Sequence, residues 1–338
     1  MAGIVLNMHK ALNQFFAVNS LLLISSLLTA QLAHSQNQQE SASGSPAEST
    51  QTTLDQQALL EKELGGKGLV SLEANGKTFS GRWHPDSSGN TLGAVLIFHG
   101  EGQHINWPNS ISDLAEVLSL HGWASLSISL PDPLAKAPPK RPTPTPEENT
   151  QASEQEKDEN STKPSEPNVE KEVKARSKAG MAFLNNKGQY NIVFAGNGLG
   201  AIRAARFLDG LSNNFNNQGL ARNMGKVKTQ AIIRRPVRAL IMIDARNHIT
   251  SSDEKNTLMD WLNDPELPIL DIYSQQHYLD AIDIQERKKR AKKKQLSKYF
   301  QVHLKSPDIS DNSGENMLTK RVRGFLQKYA KGVEIESK

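Results

Sequence analysis

The chain has 338 residues, of which 37% are hydrophobic and only 6% aromatic, and its formal net charge is +4. The absence of cysteine excludes disulfides, thiolate metal sites and a cysteine nucleophile, and the modest charge is below that of a dedicated nucleic-acid binder. The low share of apolar residues indicates that part of the chain does not pack into a core.

Residues 1–35 have the features of a signal peptide. A basic flank precedes an apolar stretch at 15–28, and small residues stand before a cleavage site ahead of Gln36. The flank consists of His9 and Lys10, and the small residues are Ala33 and Ser35. We therefore expect export to the periplasm; the alternative is an uncleaved leader that anchors the chain in the inner membrane. Met8, directly before the flank, is an alternative start.

Two polar segments separate the leader from the folded part and interrupt that part. Residues 36–53 are rich in Gln, Ser, Ala and Glu, and we expect a disordered spacer because they cannot bury enough apolar surface. The folded domain is expected to span 54–338. Within it, a proline-rich and acidic stretch at about 135–167 is expected to form a disordered insertion.

The rest of the chain alternates between strand and helix patterns. The run GAVLIFHG, from 93 to 100, is continuously apolar and ends in glycine, which is typical of a strand buried on both faces. A helical pattern and the strand ASLSISL follow, which gives a βαβ unit. Later strand patterns alternate with helices, at about 190–196, 237–245, 267–274 and 300–305. This order predicts an α/β protein with a mostly parallel sheet flanked by helices.

Two segments resemble parts of the α/β-hydrolase fold. LIFHGEGQH (96–104) is similar to the strand and His-Gly loop that help to form the oxyanion pocket. FAGNGLGA (194–201) is similar to the strand, sharp turn and helix that carry the nucleophile. Together with ASLSISLPDP they also resemble the DUF3530 family of exported proteobacterial proteins, from about residue 54 to the C-terminus. The resemblance implies the hydrolase-like fold and no demonstrated activity.

The sharp turn lacks the serine of the hydrolase motif G-x-S-x-G. In the sequence GNGLG at 196–200, alignment of the outer glycines places Gly198 at the nucleophile position, whereas a shift by one residue places Asn197 there. The base is missing too, because 306–316 contains no histidine and His303 lies within a predicted strand. Candidates for the acid are Asp271, Asp280 and Asp283. We therefore expect a non-catalytic protein that binds a ligand or partner, without a working Ser-His-Asp triad.

Other functions remain open. A hydrolase with a non-standard active site would use activated water or a displaced serine, such as Ser127 or Ser129, although strand alternation favours packing roles for both. The glycines also fit the dinucleotide pattern G-x-G-x-x-A, but no acidic residue ends a strand about 20 residues later, so no cofactor is predicted. His99 and His104 lack an evident third metal ligand, so backbone hydrogen bonding is favoured and no metal is predicted.

The predicted pocket lies where the two hydrolase-like segments end. Its predicted lining residues are His99, Glu101, Gln103, His104, Asp132, Asn197 and Gly198. The expected partner is a small molecule or an envelope protein, and nucleic acid is not expected.

The run ERKKRAKKKQLSK at 286–298 is the densest concentration of charge. As a helix it would be basic nearly all round, with only Ala291 and Leu296 apolar, which predicts a solvated outer helix. The alternative is contact with an anionic surface such as phospholipid headgroups or lipopolysaccharide. The residues that would make this contact are Arg287, Lys288, Lys289, Arg290, Lys292, Lys293 and Lys294.

Overall fold

The computed structural model describes Lys62 and residues 66–133, 166–217, 235–249, 255–274, 278–305 and 315–331. The predicted signal peptide at 1–35 and spacer at 36–53 lie outside these residues, as does the predicted insertion at 135–167 except for its last two residues. None of the helices in the described part of the chain is long and apolar enough to cross a bilayer.

The strands form one eight-stranded sheet in the order β1-β2-β4-β3-β5-β6-β7-β8. The strands are β1 (Leu69–Ala74), β2 (Lys77–His84), β3 (Gly93–Phe98), β4 (Trp123–Ile128), β5 (Ile192–Asn197), β6 (Leu240–Ile243), β7 (Ile269–Tyr273) and β8 (Tyr299–His303). β2 pairs antiparallel with β1 and β4, and all pairings from β4 to β8 are parallel. The predicted mostly parallel sheet of an α/β-hydrolase-like fold is therefore confirmed.

Helices cover both faces of the sheet. They are α1 (Ser112–Ser119), α2 (Glu166–Asn186), α3 (Leu199–Asn217), α4 (Tyr278–Lys293) and α5 (Met317–Tyr329), and a single 3-10 turn spans Leu258–Trp261. One core cluster joins α1 and α5 to one face, through residues such as Leu118 and Val322. The other cluster joins α2 and α3 to the opposite face, through residues such as Val173 and Ile202. All residues of β3, β4, β5 and β6 are buried, which explains why these strands are largely apolar.

Helix α4 is attached to the sheet by a buried arginine. The Arg287 side chain is 1% exposed and donates to both carboxylate oxygens of Asp271 on β7, at 2.9 and 3.3 Å. It also donates to the backbone oxygen of Ala245 at 2.8 Å, while the hydroxyl of Tyr299 donates to Asp271. The prediction that Arg287 belongs to a surface-binding set is wrong, because the carboxylate of Asp271 holds its guanidinium inside the fold.

The other six predicted surface-binding cations divide into two groups. Arg290 donates to Asp260 at 3.0 Å, and Lys294 donates to the backbone oxygen of Met259 at 2.6 Å, so both attach α4 to the 3-10 turn. Four lysines of α4 are exposed: Lys288, Lys289, Lys292 and Lys293. Contact with an anionic surface stays a prediction, and it now rests on these four lysines.

Replacing Arg287 by methionine should destabilise the fold by about 3 kcal/mol or more, because the change leaves a buried carboxylate without its cation. The measurement is urea unfolding followed by circular dichroism. Lys288→Met, one residue along α4 and exposed, is the control and should change stability by no more than about 0.5 kcal/mol. Equal stabilities for the two variants would contradict the role assigned to Arg287.

Candidate functional site

The turn between β5 and α3 is one residue long. β5 ends at Asn197 and α3 begins at Leu199, and Gly198 between them has a φ of +52°. Asn197 is not among the described residues with positive φ. Because the hydrolase nucleophile sits on this strained strand-to-helix turn, the structure selects the alignment in which Gly198 occupies the nucleophile position.

The nucleophile position offers room but no reactive group. A Cβ added to Gly198 would have the Cα of Gly100, 4.0 Å away, as its nearest neighbour. By contrast, a Cβ on Gly200 would lie 2.1 Å from the backbone oxygen of Phe98. Glycine is therefore required by packing at 200, whereas at 198 the space that a serine side chain would fill is open.

A cleft of about 830 Å³ opens at the carboxyl ends of the parallel strands. Its polar lining includes Glu101, Gln103, Ser110, Asn197, Asp244, Arg246, Ser274 and Lys305, and its apolar lining includes Trp107, Ile243, Ile272, Ile284 and Leu318. Of the predicted pocket residues, Glu101, Gln103, Asn197 and Gly198 line the cleft. His99, His104 and Asp132 are not part of this lining.

His99 lies behind the cleft and supports the loop that follows β3. Its Nε2 accepts a hydrogen bond from the backbone N–H of Leu130 at 2.8 Å, so its proton sits on Nδ1, which donates to the backbone oxygen of Gly100 at 2.8 Å. Burial lowers the pKa of His99 to about 4. The imidazole is thus neutral at pH 7 with both nitrogens occupied, which leaves it unable to act as a base or a metal ligand in this arrangement.

Other predicted pocket residues support the same loop. The side-chain oxygen of Gln103 accepts from the backbone N–H of Gly100 at 2.8 Å, and Asp132 accepts from the backbone N–H of Gly102 at 3.0 Å. His104 packs edge-on against Trp107, with ring centroids 5.4 Å apart. An N–H of this loop forms part of the oxyanion hole in active hydrolases, but here the Gly100 amide is occupied by Gln103. Within the described residues, no group of three or more His, Asp or Glu side chains is placed to hold a metal ion.

Four polar residues of the cleft that directly follow strands are absent from the predicted pocket. Asp244 and Arg246 follow β6, Ser274 follows β7 and Lys305 follows β8. Both carboxylate oxygens of Asp244 accept hydrogen bonds from Ser274, one from its N–H and one from its hydroxyl, each at 2.7 Å. Their position directly after the parallel strands was the available signal, because ligands of open α/β sheets bind at that edge.

No catalytic triad is assembled in the described part of the cleft. The hydroxyl of Ser110 accepts from the side-chain amide of Asn197 at 2.9 Å, and the hydroxyl of Ser274 donates to Asp244. His303 stacks on Tyr273, with ring centroids 4.9 Å apart, at the end of β8. Ser127, one of the two displaced-serine candidates, is 1% exposed within β4.

Sequence comparison supplies the family. The model of the family described as "Protein of unknown function (DUF3530)" matches residues 13–328. The chain belongs to this family. A comparison with curated protein sequences gives no significant match.

Solved structures similar to this DUF3530 protein include a dienelactone hydrolase and an esterase. Dienelactone hydrolase from Anabaena variabilis is 14% identical with a TM-score of 0.49, and the match covers 78% of this chain and 97% of that chain. Est1E from Butyrivibrio proteoclasticus is 12% identical with a TM-score of 0.47, covering 77% and 98%. An esterase from Pyrococcus furiosus is 15% identical with a TM-score of 0.48, covering 78% and 90%. Similarity at this level carries no information about the activity of this chain.

The low pKa of His99 predicts a loss of stability in acid. The unfolded chain protonates this residue near its ordinary pKa of about 6.5, whereas the folded chain does so only near pH 4. Unfolding is therefore favoured as the pH falls from about 6.5 to about 4, by up to about 3 kcal/mol from this residue. His99→Gln keeps an acceptor for the Leu130 amide but does not titrate, so its urea midpoint should vary less over this pH range.

The exposed residue His121 supplies the control for this comparison. His121→Gln should retain the full pH dependence of the wild type. A pH dependence that is the same in all three proteins would show that His99 is not buried as a neutral group.

Proposed function

We propose that this DUF3530 protein binds a ligand or partner in its sheet-end cleft and does not act as a serine hydrolase. The observation that carries the proposal is Gly198, with a φ of +52°, at the nucleophile position. Two further observations support it. His99 has both ring nitrogens occupied, and the segment 306–316, where the base of a hydrolase would follow the last strand, contains no histidine.

The cleft is suited to binding. Its volume of about 830 Å³ lies within the range of small-molecule sites, which are mostly apolar with a few placed polar groups. Ile243, Ile272 and Leu318 supply apolar wall, while Asn197 and Arg246 supply polar groups. A bound molecule would lie above Gly198, in the space that a serine side chain occupies in an active hydrolase.

A hydrolase with a non-standard site is the second candidate. The observation in its favour is the 2.7 Å hydrogen bond from the Ser274 hydroxyl to Asp244 within the cleft. Ser110 is the other serine in the lining. In either case the hydroxyl lies outside the nucleophile elbow, which is the turn between β5 and α3. The two candidate functions therefore differ in whether a serine-reactive probe labels the chain.

A serine-reactive fluorophosphonate should not label the wild-type chain, and p-nitrophenyl esters with acyl chains of different lengths should not be hydrolysed above background. The reason is that the elbow has no hydroxyl and no cleft hydroxyl bonds to a histidine among the described residues. Ser110→Ala and Ser274→Ala identify the nucleophile if labelling occurs, and Ser297→Ala, outside the cleft lining, is the control. Labelling that disappears in one of the two cleft variants would establish the second candidate.

We further propose that the chain acts at the cell envelope after removal of residues 1–35. The basic flank, the apolar stretch and the small residues before Gln36 support this proposal. Expressed in a Gram-negative host, the chain should appear in the periplasmic fraction with the mass expected for a chain that begins at Gln36. Ala33→Leu should leave the leader attached, because a small residue is needed near the cleavage site. Wild-type chain in the cytosol with its leader intact would contradict export.

A further inference from the structure

We propose that the cleft binds an amphipathic carboxylate, and that Arg246 exchanges its internal partner Glu101 for the carboxylate of the ligand. The inference rests on the proposed ligand-binding function and specifies the class of ligand. It starts from a hydrogen-bonded ion pair of 2.6 Å between Arg246 and Glu101, both of which line the cleft.

The ion pair lies across the end of β5. Glu101 belongs to the loop after β3 and Arg246 to the loop after β6, and these strands flank β5 on its two sides. The backbone N–H of Arg246 donates to the backbone oxygen of Gly198 at 3.4 Å. On the other side, Gly100, next to Glu101, is the nearest neighbour of a Cβ built on Gly198. The two charged residues are therefore anchored on either side of Gly198, next to the open nucleophile position.

This pair is suited to exchange. The side chains of Arg246 and Glu101 are 52% and 40% exposed, and exposed ion pairs contribute little to stability. A ligand carboxylate offers Arg246 the same kind of acceptor as Glu101, which accepts one hydrogen bond from Nη1 of Arg246. Replacement of one carboxylate by the other thus preserves the interaction of the guanidinium, while Glu101 turns into solvent.

The charges of the cleft favour an anionic ligand over a cationic one. Lys305 adds a second cation to the lining, and among the described residues no carboxylate is paired with it. The second acid, Asp244, has both oxygens occupied by Ser274. Arg287, at the inner wall, is neutralised by Asp271. Once the Arg246–Glu101 pair opens, a ligand carboxylate can meet Arg246 and Lys305, whereas a ligand cation meets Glu101 and an Asp244 whose two oxygens already accept hydrogen bonds.

The apolar lining favours a ligand with a hydrocarbon part. Ile243, Ile272, Ile284 and Leu318 come from β6, β7, α4 and α5 and share the cleft with Trp107. Burial of a medium-length alkyl chain against these side chains stabilises the complex in proportion to the apolar surface removed from water. This burial supplies much of the affinity, while the carboxylate, held by Arg246 and Lys305 in place of Glu101, supplies the orientation and the preference for an anion.

The test is isothermal titration of the purified full chain with decanoate, 1-decanol and decylammonium, which share an alkyl chain and differ in charge. Decanoate should bind most tightly. Arg246→Gln should weaken decanoate binding about tenfold, the usual effect of losing a charge-assisted hydrogen bond, and should leave decanol binding unchanged. Glu101→Gln should tighten decanoate binding about threefold, because the competing internal carboxylate is gone.

Lys292→Gln removes one positive charge from an exposed site on α4 outside the cleft, and it should leave decanoate binding unchanged. The proposal is overturned if decanoate does not bind, if decylammonium binds more tightly, or if Arg246→Gln has no more effect than Lys292→Gln. Failure of the non-catalytic proposal is observed separately, as phosphonate labelling, and does not alter the dependence of decanoate binding on Arg246.

Discussion

The close approach of α3 to β3 and β5 is the constraint on which the site depends. A Cβ on Gly200 would lie 2.1 Å from the backbone oxygen of Phe98, and a Cβ on Gly196 would lie 2.5 Å from the backbone nitrogen of Ala201. Glycine at both positions allows the helix to begin one residue after the strand, because no side chain separates the backbones. The resulting turn brings Gly198 and the flanking loops to one opening. The shape of the cleft thus follows from backbone packing and does not require a nucleophile.

Buried polar groups then fix the walls of this opening. His99 joins the loop after β3 to the residues after β4, through Gly100 and Leu130. On the other side Arg287 joins α4 to β7 and to the loop after β6. Such groups are costly to bury unless their hydrogen bonds are made, so each holds its loop in one position. The exposed Glu101–Arg246 pair between these walls is the part of the site that can rearrange at little cost.

The sequence predicts the sheet well and the site only in part, for physical reasons. Strands such as β3 and β5 are short apolar runs closed by glycine, a local pattern that burial on both faces imposes. The alignment of the elbow depends on the backbone angle at Gly198, which composition does not reveal. Arg287 was misassigned because its partner Asp271 belongs to another strand, and a run of basic residues does not show which face of the helix packs inward. The sequence places His99 beside the pocket but does not show which way its side chain points. That orientation is set by the backbone amide of Leu130, 31 residues away.

Glycine at position 198 agrees with the proposed binding role on energetic grounds. A residue with a side chain held at a φ of +52° stores strain of about 1 kcal/mol or more, and active sites retain such strain because the reaction uses it. Glycine adopts this backbone angle without that strain. This chain keeps Gly196 and Gly200, which packing requires, and also has glycine at the strained position 198. It therefore retains the geometry of the elbow without the backbone strain that a nucleophile would bear. Stability and ligand binding are then compatible at the same turn, since neither needs a side chain there.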